Sequence, residues 1–336
     1  MKKDMLKSIT EFLPDINEFT ISLIGLNKNS GKTVTLIYLI NQLQKEELNV
    51  AVTSIGYDGE KLDLIFHHDK PEFIVPKGTI VATAEVAVNK IQGEYLILDD
   101  IDEYGPLGKT YILKANEPIS VELVGPSSID GLLILKKKLK KYSKRIFIDG
   151  AYNRIAQISP KLADYSILAI GGTSIEITKE RLEKLSLIIK IPKYEGESLN
   201  QKCKLNSHYV VDSEISEITD DELKSIKGKK IIHSGAFTNQ IARLVIKNKN
   251  VVIIEDITKI FVNKNILQKL INNKQIYIEK KENLIFVSYN PKNFNGSDYN
   301  SKELGRQISK YLPDINCCDI VSSFCYKGGR VDAILK

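Results

Sequence analysis

Short apolar runs rich in β-branched residues alternate along the chain with longer segments in which apolar residues recur at helical spacing. The clearest pair is residues 19–24, an apolar run, followed by residues 31–45, where apolar positions return every three or four residues. The first pattern is typical of a parallel strand buried on both faces, and the second of a helix with one buried face. Together with a strand predicted over residues 50–54, they form a βαβ unit, which implies a parallel sheet.

The same patterns predict an α/β fold in two domains. A nucleotide-binding domain with a mainly parallel sheet and a β-rich insertion is expected first, and a smaller α/β domain is expected second. A charged, partly helical linker separates them. The predicted boundaries are 1–177 for the first domain, 178–224 for the linker and 225–336 for the second domain.

Three further segments carry local predictions. Residues 3–13 predict a short amphipathic helix that ends at Pro14. Residues 130–145 predict a lysine-rich helix whose charges face solvent, since an apolar stripe runs along it. Residues 275–290 predict either a hairpin or two separate strands.

The segment between the first strand and the first helix, GLNKNSGKT, has the residue types of a phosphate-binding P-loop. Glycine lets backbone N–H groups approach phosphate oxygens, and the helix N-terminus and a lysine add positive charge. The loop is one residue longer than GxxxxGK, because Leu26 stands where the first glycine would be. The residues predicted to bind the nucleotide are Gly25, Asn27, Lys28, Asn29, Ser30, Gly31, Lys32 and Thr33.

A carboxylate at the end of a neighbouring strand would fix the Mg²⁺ that the Thr33 hydroxyl binds. The strand predicted over residues 145–149 ends in Asp149, which precedes a glycine, and this makes Asp149 the first choice. Asp99 and Asp100 end a competing apolar run, but that run lies in the β-rich insertion.

The loop after the strand at 50–54 carries Asp58 and Glu60. Ligands of parallel sheets bind beyond the carboxyl ends of the strands, where such carboxylates hold Mg²⁺ or orient water. An ordinary turn facing solvent is the open alternative, since Asp and Gly dominate turns. The catalytic prediction comprises Lys32, Asp149, Asp58 and Glu60, and the metal prediction comprises Thr33, Asp149 and Asp58. The chain contains no NKxD sequence, which favours ATP over GTP.

Composition narrows the class of protein. With 43% hydrophobic and 27% charged residues, the chain can bury a sizeable core. A net charge of +6 does not by itself indicate nucleic acid, so nucleic acid is not an expected partner. The 4 cysteines form no CxxC pair and predict free thiols in a reducing compartment. The N-terminus lacks an apolar signal region and no stretch is long enough to cross a bilayer, so we expect a cytoplasmic protein without a membrane partner.

The extended loop resembles the P-loop of the dethiobiotin synthetase-like branch of nucleotide-binding proteins. Its KNSGKT portion is also similar to the B-type nucleotide-binding proteins of molybdopterin-guanine-dinucleotide synthesis. Some relatives in that branch carry a second lysine before the P-loop lysine. Asn27 occupies that position here, and the lysine follows at Lys28. The resemblance therefore leaves open whether Lys28 reaches a phosphate within the chain or across a homodimer.

A longer set of segments resembles one family, the ATPase-type reactivase subunit encoded beside adenosylcobalamin-dependent lysine 5,6-aminomutase. The segments span nearly the whole chain and are TSIGYDGE, KPEFIVPKGTIVATA, GPLGKTYI, VELVGPSS, FIDGAYNR, SPKLADYSILAIGGT, HSGAFT and VIIEDITKIFV. The resemblance implies that binding and hydrolysis of Mg-ATP open the aminomutase, so that intact cofactor replaces a trapped cobalamin. It implies the aminomutase and a second reactivase subunit as partners. It also implies that the P-loop holds ATP, Asp149 holds Mg²⁺, and Asp58 and Glu60 sense the nucleotide or orient water.

Two alternatives stay open. The first is an ATP-dependent ligase or kinase of small molecules, as in dethiobiotin synthetase. Such a site needs cations near the γ-phosphate, whereas only Lys61 opposes Asp58 and Glu60. The second is a nucleotide-gated scaffold that binds ATP with negligible turnover.

Overall fold

The computed structural model describes residues 6–13, 17–26, 30–56, 73–105, 108–150, 160–171, 175–196, 208–211, 228, 230–233, 235–292 and 298–335. Its helices are α1 Lys32–Lys45, α2 Glu85–Val88, α3 Ile129–Leu139, α4 Ile175–Ile189, α5 Asn239–Lys247, α6 Lys264–Asn272 and α7 Ser301–Tyr311, with 3-10 turns at Ile9–Phe12 and Ile257–Lys259. The first ten strands are β1 Leu6–Lys7, β2 Phe19–Gly25, β3 Ala51–Ser54, β4 Ile74–Val75, β5 Ile80–Ala84, β6 Tyr95–Gly105, β7 Gly108–Ala115, β8 Ile119–Ser120, β9 Arg145–Asp149 and β10 Tyr165–Ile170. The others are β11 His208–Val211, β12 Lys230–His233, β13 Phe237–Thr238, β14 Val251–Ile254, β15 Ile260–Phe261, β16 Ile276–Ile278, β17 Leu284–Tyr289, β18 Asn316–Asp319, β19 Phe324–Lys327 and β20 Arg330–Leu335.

The chain is α/β and is built on a large, mostly parallel sheet. Its strands follow the order β1-β20-β19-β18-β17-β10-β2-β9-β3-β5-β7-β6. From β18 through β5 every neighbouring pair is parallel, whereas β7 and β6 on one side, and β19 and β20 on the other, pair antiparallel. Strand β2 lies in the middle of this order, and all seven of its residues are buried. Burial on both faces explains why most of its residues are apolar, although Thr20 and Ser22 are buried with them.

Strand β9 shows how helices cover both faces of this sheet. Ile146 and Ile148 pack in an apolar cluster with residues of α3, whereas Phe147 between them packs in another cluster with residues of α1. Because successive side chains of a strand point to opposite faces, α1 and α3 lie on opposite sides of the sheet. The helices cover the two faces of the sheet, and the loops that follow the parallel strands begin at the edge formed by the carboxyl ends of these strands.

The chain divides into two compact units. Unit 1 comprises Met1–Gln157, Lys161–Thr178 and Asn283–Lys336, and unit 2 comprises Ile158–Pro160 and Lys179–Glu282. Unit 2 has its own parallel sheet in the order β11-β12-β14-β16. Helices α4, α5 and α6 contribute residues to an apolar cluster with strands β12, β14 and β16. Unit 2 is therefore an insertion in the sequence of unit 1.

The predicted domain boundaries are wrong for the C-terminal part of the chain. Residues 283–336 were assigned to the second domain, but β17 pairs with β10 and β18 pairs with β17 in the sheet of unit 1. Part of the predicted linker is also structured, since α4 places Leu187 and Ile188 in the core of unit 2. The local sequence of an apolar strand does not indicate which sheet the strand joins. The sequence pattern therefore could not show that residues 283–336 belong to the sheet of unit 1.

Two smaller predictions also fail. The predicted helix over residues 3–13 is wrong for its described part, residues 6–13. That part is the short strand β1 and a 3-10 turn, and β1 pairs parallel with β20. The prediction of four free thiols is wrong for Cys318 and Cys325, which form a disulfide between β18 and β19. The antiparallel register sets these two residues directly opposite one another, which their sequence spacing did not reveal. Cys317 is a buried free thiol, and Cys203 lies outside the described residues.

Glu282, the last residue of unit 2, is a largely buried carboxyl group. Burial raises the pKa of Glu282 from 4.5 to about 7, and the nearby Asp256 carboxylate adds to the rise. The Ile257 amide, which donates a hydrogen bond of 3.1 Å to Oε1, acts in the opposite direction. Between pH 4.5 and about 7 the folded chain therefore binds more protons than the unfolded chain. The free energy of unfolding consequently falls as the pH rises through this window.

Glu282→Gln should remove the free-energy cost of ionising this buried carboxyl group, while it keeps an oxygen that accepts the Ile257 hydrogen bond. We expect unit 2 to gain up to about 3 kcal/mol in unfolding free energy at about pH 8, and little at about pH 5, because one pKa unit corresponds to about 1.4 kcal/mol. Urea unfolding followed by circular dichroism at both pH values measures the difference. Glu279→Gln, three residues away, controls for the loss of a charge. A gain of equal size at the two pH values would contradict the assigned cause.

Candidate active site

The predicted P-loop begins at the carboxyl end of β2, between the ends of two neighbouring strands. Gly25 is the last residue of β2 and is paired with Ala169 of β10, and the next amide, Leu26 N, donates a hydrogen bond of 2.9 Å to Ala169 O. On the other side, Leu23 is paired with Asp149 of β9. Because all three strands are parallel, their carboxyl ends lie at one edge of the sheet, where ligands of open α/β sheets bind.

Gly31 gives the start of α1 its geometry. It is the N-cap residue, with φ +90° and ψ 16°, in the left-handed region that favours glycine. Its carbonyl accepts hydrogen bonds from the amide and the hydroxyl of Thr35, both at 2.9 Å. The Thr35 hydroxyl in turn lies 2.7 Å from that of Ser288 on β17. The first turn of α1 is therefore anchored to the sheet, and the free amides at the helix start can face an anion.

Lys32 and Asp149 meet at this edge. Lys32 is the first residue of α1, and its Nζ lies 3.9 Å from Asp149 Oδ1 and donates a hydrogen bond to the carbonyl of Gly150. The two side chains are 14% and 25% exposed, so they are accessible but shielded from bulk water. A cation and a carboxylate held this close can act on opposite parts of one phosphate–metal complex.

The donor set around Thr33 and Asp149 suits Mg²⁺. Protein sites for nucleotide-bound Mg²⁺ supply one or two oxygen ligands, and phosphates and water supply the rest. Thr33 is the second residue of α1 and offers a hydroxyl, while Asp149 offers a carboxylate one strand away. Within the described part of the chain, no group of three or more His, Cys, Asp or Glu residues could hold a metal. The two residues would therefore hold Mg²⁺ only together with oxygen atoms of a bound phosphate.

Asp149 lies one strand from the predicted P-loop, whereas Asp99 and Asp100 lie far from it in the sheet. Strand β6, which carries both alternatives, is the edge strand of the sheet, and β9, β3, β5 and β7 separate it from β2. Asp99 pairs with Lys138 of α3 at 3.1 Å, and Asp100 pairs with Lys109 at 2.9 Å. The Asp100 amide, with further help from Lys138, lowers the pKa of Asp99. These carboxylates thus stabilise a distant part of the sheet.

The loop before α3 is hydrogen-bonded to the carboxyl end of β3, the strand next to β9. Gly125 N donates a hydrogen bond of 2.9 Å to Ser54 Oγ, and Gly56 N donates one of 2.8 Å to Pro126 O. Ser54 is paired with Asp149, so this loop lies one strand from the Asp149 backbone. It was not singled out as part of the site in the sequence.

Not every predicted site residue can be placed. Ser30 is buried, with 3% of its surface exposed, immediately before Gly31. Asn27, Lys28, Asn29, Asp58 and Glu60 lie outside the described residues. The structure therefore brings together Gly25, Ser30, Gly31, Lys32, Thr33 and Asp149.

Sequence reasoning also missed Asn290, which follows β17 and contacts the start of α1. The sequence predicts a strand before Asn290 but assigns it to the second domain. Gly171, the residue after β10, packs beside Asn290 at the same edge.

In the part of the chain that the structure describes, no helix has the length and apolar character needed to cross a membrane. Comparisons with protein-family models, with curated proteins and with solved structures gave no match to this chain.

Proposed function

We propose that the protein binds Mg-ATP at the Gly25–Thr33 loop and couples its hydrolysis to the reactivation of an adenosylcobalamin-dependent aminomutase. The main support for nucleotide binding is the pairing of β2 with β9, which brings Lys32 Nζ to 3.9 Å from Asp149 Oδ1. This contact lies at the carboxyl ends of the strands, where ligands of open α/β sheets bind. The aminomutase half is supported by the resemblance of the sequence segments.

In this proposal each residue has a defined task. The backbone amides around Gly31 surround phosphate oxygens, and Lys32 exchanges its contact with Gly150 for a phosphate. Thr33 and Asp149 hold the Mg²⁺, which neutralises charge that develops on the phosphates. The protein's contribution to hydrolysis is mainly positioning and electrostatic stabilisation.

The first experiment measures ATP binding by calorimetry and phosphate release by the purified wild-type protein, with and without Mg²⁺. We expect Mg²⁺-dependent binding and turnover, with GTP as the weaker ligand. If the protein binds no ATP, the nucleotide site is wrong. Binding without turnover, measured in single-turnover conditions, would favour the nucleotide-gated scaffold.

The second experiment tests the client. Tagged protein is mixed with purified adenosylcobalamin-dependent lysine 5,6-aminomutase, with and without Mg-ATP, and cobalamin absorbance is measured in the eluate. We expect the amount of retained aminomutase to change with ATP. If none is retained under either condition, the client is wrong although the ATPase stands. A phosphorylated or ligated small molecule formed from ATP would instead favour the ligase or kinase.

A further inference from the structure

Asn290 lies against the first turn of α1 and is held there by its own contacts. A Cβ atom on Gly31 would lie 3.3 Å from Asn290 Cβ and 3.7 Å from its Nδ2. The side-chain Oδ1 of Asn290 accepts a hydrogen bond of 3.1 Å from Lys292 N. The backbone amide of Asn290 donates a hydrogen bond of 2.8 Å to Ile170 O. The side chain is thus oriented by one hydrogen bond, and the backbone is tied to β10 by the other.

Gly171 brings the end of β10 into the same contact. A Cβ atom at this position would lie 2.9 Å from Asn290 O and 3.3 Å from Ser30 O. Real Cβ atoms do not approach a carbonyl oxygen so closely, so Gly171 allows the backbones of Ser30 and Asn290 to pack on either side of it. The Ser30–Gly31 backbone therefore packs against two residues, Gly171 after β10 and Asn290 after β17.

We propose that Asn290 is a positioning residue for the predicted P-loop, holding Gly31 in its left-handed conformation from the carboxyl end of β17. The inference rests on the proposed function and adds a residue far from the P-loop in sequence. A left-handed backbone persists when surrounding structure determines it, and the direction of the amides after Gly31 depends on it. Because β17 follows unit 2 in the chain, the phosphate site is completed only by the segment that returns from unit 2.

The binding test uses two ligands, Mg-ATP and Mg-tripolyphosphate, because the second has no base. Asn290→Ala removes the amide group beside Gly31 and the acceptor for Lys292. We expect calorimetry to show a loss of affinity of roughly tenfold for both ligands alike, since small displacements of a binding group cost this much or more. A loss for Mg-ATP alone would overturn the proposal, because it would mean that Asn290 contacts the base.

Asn283→Ala is the matched control at the amino end of the same strand. It removes a side-chain hydrogen bond of 3.2 Å to Asp164 O, and we expect it to leave both affinities unchanged. If Asn290→Ala changes affinity no more than Asn283→Ala does, the residue has only a structural role and the proposal fails.

Hydrogen exchange in nucleotide-free protein decides the point independently of nucleotide binding. Asn290→Ala should speed exchange of the Thr35 amide, which bonds to Gly31 O, whereas Asn290→Asp keeps the shape and the Lys292 hydrogen bond and should restore protection. Unchanged exchange in Asn290→Ala would overturn the positioning role. A wild-type protein that binds neither ligand would overturn the proposed function, and the exchange result would still decide whether Asn290 orders Gly31.

Discussion

Lys32→Ala is expected to lower the rate of ATP hydrolysis by about 10²- to 10³-fold, the usual cost of removing one group that stabilises charge in a transition state. Lys32 starts α1, and its Nζ contacts Gly150 O and lies 3.9 Å from Asp149. Among the described residues of the predicted loop, Lys32 is the only one with a full positive charge, and the substitution removes it. Phosphate release under saturating Mg-ATP measures the effect.

The same substitution should leave the fold intact, so that lost turnover is not lost structure. Alanine has the highest helix propensity. The contact with Asp149 is long, at 3.9 Å, and partly exposed to solvent, so its loss should change stability little. Circular dichroism and thermal denaturation of Lys32→Ala should therefore match the wild type. Lys45→Ala, an exposed lysine in the last turn of the same helix, is the control and should retain full turnover. Equal turnover in Lys32→Ala and Lys45→Ala would exclude this loop as the site of hydrolysis.

The second large effect is expected from Gly125→Ala. A Cβ atom at this position would lie 1.5 Å from Ser54 O and 2.4 Å from Ser54 C, so two backbone segments would have to separate. Overpacking of this kind typically costs about 1–3 kcal/mol, and a clash with backbone belongs at the upper end. A loss of about 3 kcal/mol would lower the melting temperature by roughly 6–12 °C in a unit of this size.

Gly125→Ala should also impair the site, because the displaced Ser54 is paired with Asp149 and the Ile55 amide bonds to Asp149 O at 3.3 Å. Differential scanning calorimetry measures the stability, and phosphate release at a temperature where the variant is folded measures the site. Ser127→Ala, an exposed position two residues further along the same loop, is expected to change neither. A melting temperature equal to that of Ser127→Ala would contradict the close approach of the two backbones.

Local patterns were sufficient for the strand–loop–helix at the centre of the sheet. The apolar run at residues 19–24 and the helical spacing after Gly31 correspond to Phe19–Gly25 and Lys32–Lys45 within a residue. Asp149 was found in the same way, as the carboxylate that ends an apolar run. These features succeed because a central parallel strand is buried on both faces, which leaves a mark in its own few residues.

The sequence by itself therefore determined the α/β class, the strand and the helix that flank the predicted phosphate-binding segment, and the strand-end carboxylate beside it. Only the tertiary structure decided that residues 283–336 return to the first sheet, that Cys318 faces Cys325, and that Asn290 lies beside Gly31. Each of these depends on which strands become neighbours. That choice is made by packing between segments far apart in the chain, and an apolar strand such as β17 has the same local pattern in either sheet.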